Sequence, residues 1–221
     1  MNPHDKEWKE KKLNHYNNRI LFDDRDELYV MGDWEDPIMK AHAEITCRNG
    51  GHILEVGFGM GISANYIQEQ DIKSHTIIEE DKVVYQRLLE WAKDKPNVIP
   101  IFGDWKSNLP NKKFDGILKD TYGDNVGALM FPIFILKVSK VGTIISFFND
   151  YLKPKTIYQG VAEKYPHYLT DSNMDFHEVE IDKPEFVDYL TGDENYYVPE
   201  WIVSESDTEK RFREKLRSRD E

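Results

Sequence analysis

The stretch Leu54-Glu55-Val56-Gly57-Phe58-Gly59-Met60-Gly61 constrains this chain more than any other. It ends the apolar run HILEVG (52–57), which reads as a buried strand, and it opens onto SANYIQEQ, which reads as a helix. Glycine at every second position lets the backbone turn tightly and approach a ligand with no Cβ in the way. A strand, a glycine turn and a helix in that order begin a β-α-β unit. Such units build mostly parallel sheets with helices on both faces.

The alternation continues downstream. HTIIEE (75–80), NVIPIFG (97–103), FDGILKD (114–120) and TIISFFN (143–149) read as further strands. Between them, DKVVYQRLLEWAKD (81–94) reads as an amphipathic helix and VGALMFPIFILKVSK (126–140) as a helix broken near Pro132. MDFHEVEI (174–181) and YYVPEWIVSE (196–205) alternate like late antiparallel strands, so the expected fold is an α/β, Rossmann-like sheet of seven strands. Upstream, EDPIMKAHAEITCR (35–48) predicts a helix with Pro37 in its first turn, closed by Asn49-Gly50-Gly51. Residues 5–20 predict a charged helix anchored by Trp8 and Leu13, and residues 1–30 a helical cover over the site. The tail, 204–221, mixes both charges and predicts a solvated helix or a frayed end.

A length of 221 residues suits one domain spanning 1–221. No apolar run approaches the ~20 residues that span a bilayer. The amino-terminal residues MNPHDKEWKEKK lack the apolar core of an export signal. A single cysteine, Cys47, allows no internal disulfide, and these features together point to the cytoplasm. One cysteine and seven scattered histidines give no ligand-spaced metal cluster. The net charge of -12 argues against nucleic acid as a partner and favours the approach of a small cation.

The glycine spacing separates two ligand classes. A dinucleotide fingerprint, Gly-x-Gly-x-x-Gly, needs its third glycine at 62, where Ile62 stands. The spacing Gly57-x-Gly59-x-Gly61, with Glu55 just before it, resembles instead the first motif of class I methyltransferases, whose cofactor is S-adenosylmethionine. Glu79 follows Gly57 by 22 residues at the end of the second strand, close to the ~20 at which a carboxylate accepts ribose hydroxyls. Glu80 and Asp81 read as the cap of the next helix. Gly103-Asp104-Trp105 closes the third strand at the same sheet edge. Asp104 can accept from an adenine amino group there, while Trp105 serves equally well as a stacking wall or as a core residue.

Longer motifs carry a closer resemblance. Met31-Gly-Asp-Trp-Glu35-Asp-Pro-Ile-Met39, the Leu54–Met60 loop, Ile77-Ile78-Glu79, Gln86-Arg87-Leu88 and Phe114-Asp-Gly-Ile-Leu-Lys-Asp120-Thr-Tyr122 resemble guanidinoacetate N-methyltransferase and its fungal arginine-methylating relatives. Asn195-Tyr-Tyr-Val-Pro199 adds a weaker match. The resemblance implies that Glu35 grips a guanidinium and that Asp120 is the second carboxylate and catalytic base. It places Met39, Phe58, Gly59, Met60, Gly61, Ile62, Ser63, Glu79 and Trp105 against the cofactor, with Trp8 covering it. Met31, Tyr122, Asn149, Asp150 and Tyr151 fall on the substrate side. The implied substrate is a small guanidine such as guanidinoacetate, arginine or agmatine, and a homodimer is compatible with it.

The chain also departs from that pattern. Lys119 stands where the family has an aromatic residue, and the segment after Tyr122 is shorter and contains glycine. Asp150-Tyr151 replace the pair whose backbone amides hold the substrate's carboxylate; an inward-facing Asp150 would favour a cationic or neutral distal end. Two alternatives stand beside the small-molecule enzyme: a protein-arginine methyltransferase, and a catalytically silent partner module. No Thr-His-Trp element of the main protein-arginine family occurs, and retention of both Glu35 and Asp120 argues against silence.

Overall fold

Gly51–Val56 (β4) is an interior strand of a sheet whose other strands are Ile72–Glu79 (β5), Val98–Phe102 (β6), Phe114–Lys119 (β7), Ser139–Phe147 (β8), Met174–Glu180 (β9) and Asn195–Ile202 (β10). In the computed structural model the order is β6-β5-β4-β7-β8-β10-β9. The first five strands in that order run parallel, and β10 is antiparallel to both β8 and β9. This is the seven-stranded sheet that the strand-helix alternation calls for. The structure describes residues 13–15, 19–22, 25–122, 131–132, 134–149, 174–182 and 195–205.

Both faces are covered because successive residues of a strand point to opposite sides. Ile117 and Ile145 face a core containing Trp105, Phe131 and Trp201. Leu118, one residue on, packs with Ala43 and Ile67 on the other side, where Ile144 joins Ile38, Met39 and Tyr196. Ala43, Ile38 and Met39 belong to the helix Asp36–Cys47 (α1), which starts after a 3-10 turn, Asp33–Glu35, with proline in its first turn. Ile62–Gln68 (α2) follows β4, and Lys82–Trp91 (α3) follows β5, capped by Asp81, whose side chain accepts from Val83 and Val84 N–H. A short helix, Trp105–Asn108 (α4), follows β6.

Two expectations are corrected. Within the span predicted as an amino-terminal helix, Leu13–His15 (β1) and Arg19–Phe22 (β2) are strands, and with Arg25–Gly32 (β3) they form an antiparallel three-stranded sheet. Buried Ile20 packs into the Phe58–Val84 core, with partly buried Val30 against the same cluster. Pairing with β3 therefore overrides the helical propensity of the charged residues. The fifth parallel strand begins at Ser139 rather than 143, because Ser139 pairs with Phe114 ahead of a register shift. Gly142 sits at φ 84 inside that irregularity, and the glycine reads in sequence as a break. Of the span 126–140, only 131–132 and 134–135 are described as helical, and most of the 204–221 tail lies outside the described residues.

Candidate active site

The carboxyl ends of β4 to β7 open onto a cavity of about 560 Å³. Ligands bind in that position in open parallel sheets, outside the strand ends. Gly57, Phe58 and Gly59 line it together with Glu79, Asp104, Asp120 and Tyr122. Met31, Ser63 and Trp105 also reach it.

The loop conformation explains two of the glycines. Gly57 has φ 92, and a Cβ there would lie 1.8 Å from the carbonyl oxygen of Asp120. Gly59 has φ 53, and a Cβ on it would meet Met31 Sδ at 2.6 Å. The glycines thus let β7 and β3 press against the loop, and the loop in turn presents its N–H groups. Phe58 N–H donates to Glu79 Oε2 at 2.9 Å and Asp81 N–H to Oε1 at 2.7 Å. Burial pushes the Glu79 carboxyl above its ordinary value, opposed by those N–H bonds. A buried carboxylate facing a cavity gains from further donors, and vicinal hydroxyls supply two. The site therefore fits the ribose of a nucleoside cofactor.

Asp104 caps α4: its Oδ1 accepts from Lys106 N–H at 3.0 Å and from Lys106 Nζ at 2.9 Å. Trp105 is a core residue that also reaches the cavity. It is 4% exposed, meets Phe131 and Phe134 edge-on at 5.9 and 5.7 Å, and still touches the cavity. Carboxylates predominate in the lining, with Glu79, Glu80, Asp81, Asp104 and Asp120 against Lys82 and Lys106. Such a cavity attracts cations.

Other expected site residues lie behind this surface. Met39 is fully buried in the core, with Met60 and Ile62 packed against that same cluster, and Gly61 caps α2 at φ 77. Glu55 is buried beneath the loop, where its carboxylate accepts from Ser63 Oγ–H. His75 Nε2 lies 2.9 Å from the other Glu55 oxygen, although neither atom has a partner in hydrogen-bond geometry among the described residues. Glu55 thus ties α2 to β4 rather than lining the cavity. Glu35 is 2% exposed at the start of α1 and is not among the lining residues. Asn149 is buried just after β8; its N–H donates to the Tyr196 hydroxyl. Trp8, Asp150 and Tyr151 lie outside the described residues.

Sequence reasoning passed over several lining residues. Ile20 and Val30 come from the sheet that was read as a helix. Phe102 is half exposed at the mouth, its ring 5.0 Å from that of Tyr85. Thr121 sits between the two singled-out residues Asp120 and Tyr122. The short β-prone apolar run Leu28-Tyr29-Val30-Met31 was the one available signal for the first group.

Comparison with known proteins agrees with this geometry. The fold resembles NodS from Bradyrhizobium japonicum in complex with S-adenosyl-L-homocysteine, with TM-score 0.56, 16% identity, and coverage of 78% of this chain and 88% of that one. It also resembles M. jannaschii TYW2 in complex with AdoMet, with TM-score 0.54, 15% identity and coverage of 87% and 84%. Identities this low speak for the fold alone. Among curated proteins, protein arginine N-methyltransferase 2 of Aspergillus oryzae is 33% identical over 185 residues, covering 78% of this chain and 44% of the relative. The protein of the same name in Yarrowia lipolytica is 33% identical over 135 residues, covering 54% and 28%. The chain thus spans less than half the length of these relatives. The family model for guanidinoacetate N-methyltransferase matches residues 5–130, more than half of the chain. By that match the chain belongs to the guanidinoacetate N-methyltransferase family, a branch of the S-adenosylmethionine-dependent methyltransferases.

Proposed function

We propose that the chain transfers a methyl group from S-adenosylmethionine to a nitrogen of a small guanidine, guanidinoacetate or a relative such as arginine or agmatine. The observation that carries this reading is the position of Asp120. It stands on the wall of a carboxylate-rich cavity, across the glycine loop from the buried Glu79.

When bound, the cofactor supplies an electrophilic methyl on a sulfonium. The chain's residues bind, orient and accept a proton. Glu79 and the loop N–H groups would hold the nucleoside end, with Asp104 and Trp105 beside it. A guanidinium is planar and fully protonated, so carboxylates grip it through charge-assisted hydrogen bonds that fix one nitrogen. Asp120 performs that grip from the cavity wall, while Glu35, to which the family resemblance gives the second grip, is buried at the start of α1 outside the cavity lining. As the nitrogen is alkylated its N–H becomes acidic, and an Asp120 carboxylate oxygen takes the proton. Prior deprotonation of the free guanidinium is unnecessary.

Methylation of arginine within a protein is the second reading, favoured by the names of the curated relatives. Mass spectrometry of products from a guanidine panel and a protein fraction, each incubated with the chain and S-adenosylmethionine, separates the two. Methylated free guanidines support the first reading. Methylated protein with unmodified free guanidines overturns it in favour of the second.

A further inference from the structure

Parallel strands share one entry edge, and in this sheet that edge collects cations. β5, β4, β7 and β8 are adjacent and run the same way, so their starts lie side by side at the end opposite the cavity. Each start brings a basic side chain: Lys73 on β5, His52 on β4, Lys112 and Lys113 just before β7, and Lys137 and Lys140 around the start of β8. Lys73, Lys113, Lys137 and Lys140 are exposed, and Lys112 and His52 partly so. Contacts tie the group together. Lys112 Nζ donates to Ser74 Oγ at 3.2 Å, and His52 Nδ1 lies 2.8 Å from the same oxygen. Lys113 Nζ donates to the carbonyls of Lys137 and Ser139 at 2.9 and 2.7 Å. Two carboxylates stand in the row, Asp71 just ahead of β5 and Asp115 on β7. Asp115 is already engaged: Oδ2 accepts from His52 N–H at 2.7 Å, and Oδ1 pairs with Lys140 Nζ at 2.5 Å. Among the described residues, no carboxylate lies within ion-pair distance of Lys73, Lys112 or Lys137.

We propose that the entry edge of β5, β4, β7 and β8 is a docking surface for an acidic polypeptide segment. The chain has a net charge of -12, and carboxylates predominate around the cavity at the other end of the strands. The two ends of the sheet therefore differ in sign, and the cationic end attracts and orients an anionic partner. Neighbouring strands lie about 4.8 Å apart, so a row of four is roughly 14 Å long, the reach of about five extended residues. A protein segment fits this edge better than nucleic acid does. Asp71 and Asp115 interrupt the row where a phosphate backbone needs a continuous basic footprint. Val141, 51% exposed and next to Lys140, adds an apolar foothold for a side chain. Docking at this edge leaves the cavity open, so the surface serves recognition and not the methyl-transfer step.

Fluorescence anisotropy tests this with a labelled peptide of alternating glutamate and valine, a serine-valine peptide, and a single-stranded oligonucleotide matched in charge to the first. The native chain should bind the glutamate peptide, more tightly at low salt, and bind neither of the others at comparable strength. Lys73→Glu combined with Lys112→Glu and Lys137→Glu should weaken that binding about tenfold or more, the scale of three exposed ion pairs made repulsive. Lys40→Glu with Arg87→Glu and Lys93→Glu changes the net charge equally at exposed positions elsewhere and should leave binding near native. If the first triple variant is unstable, glutamine at the same three positions replaces it and should give a smaller loss in the same direction. A native chain that ignores the glutamate peptide overturns the proposal. So do equal losses in the two triple variants, tighter binding of the oligonucleotide, and displacement of the peptide by S-adenosylhomocysteine, which would place it in the cavity. Sedimentation showing a native dimer that the first triple variant dissociates would make the edge an interface between copies and overturn it as well.

Discussion

The carbonyl oxygen of Asp120 occupies the space that a side chain on Gly57 would need, 1.8 Å from where its Cβ would sit. The turn after β4 and the exit of β7 are therefore built against each other, and Asp120 N–H is anchored in the same seam by the Val56 carbonyl at 2.9 Å. Gly57→Ala must either push Asp120 away or unwind the turn, and it forces an L-residue to φ 92 besides. A loss of about 1–3 kcal/mol of stability follows, on the scale of one strained backbone position. Turnover should fall further than melting temperature implies, because the displaced residue is the proposed base. Chemical denaturation beside steady-state kinetics checks this; a Gly57→Ala chain with native stability and native turnover would contradict it.

Glu79 links the cofactor reading to pH. Its carboxyl is raised by burial in the free chain. Ribose hydroxyls would stabilise the ionised form and lower that value on binding, so binding should release protons. Affinity for S-adenosylhomocysteine should rise with pH as the Glu79 carboxyl ionises, and Glu79→Gln should abolish the dependence and weaken binding by roughly 1–3 kcal/mol. Calorimetry at several pH values, in buffers of different ionisation heat, reads both quantities. An unchanged affinity in Glu79→Gln would remove the residue from the site.

His42 gives a stability prediction that does not involve ligand. Ser146 Oγ–H donates to the Pro199 carbonyl at 2.6 Å, so the 2.7 Å contact between Ser146 Oγ and His42 Nδ1 requires Nδ1–H as donor. Nε2 then carries a buried lone pair with no hydrogen-bond partner among the described residues. Burial pushes the His42 pKa down to about 3. The unfolded chain binds this proton from about pH 6.5 downward and the folded chain does not. The contribution is complete above pH 6.5 and is lost as pH falls toward 3, at about 1.4 kcal/mol per unit. Urea denaturation at pH 7 and pH 5 should show a steeper loss in the native chain than in His42→Gln. Parallel losses in the two chains would contradict a neutral buried His42.

What could be read from sequence divides along a physical line. The parallel sheet was legible because its strands are continuous apolar runs punctuated by glycine and helix caps, as in Leu54-Glu55-Val56-Gly57 and Glu79-Glu80-Asp81. Those signals are local. Glu79 and Asp120 were legible for the same reason, since each ends such a run. The amino-terminal sheet was not, because β1 to β3 are mixed in charge and are specified by pairing with one another rather than by their own pattern. The role of Glu55 was hidden too: a carboxylate beside a glycine loop reads as a ligand contact, and only the fold brings Ser63 and His75 beneath it. Thr121 gave no signal, since only the fold brings Lys119 Nζ against its hydroxyl and places it on the cavity wall.

The assignment of Asp120 as the proton acceptor in guanidino methylation is the central claim. Asp120→Asn preserves shape and one acceptor oxygen while removing the charge, so it isolates the proton-transfer role. Calorimetry should show S-adenosylhomocysteine binding within a few-fold of the native chain. Methyl transfer from S-adenosylmethionine to the best guanidine of the panel, followed by mass spectrometry, should fall by ~10²-fold or more, the usual effect of losing a general base. Cofactor binding retained with turnover lost is the predicted result. An Asp120→Asn chain that binds cofactor and methylates the guanidine at a near-native rate would contradict it.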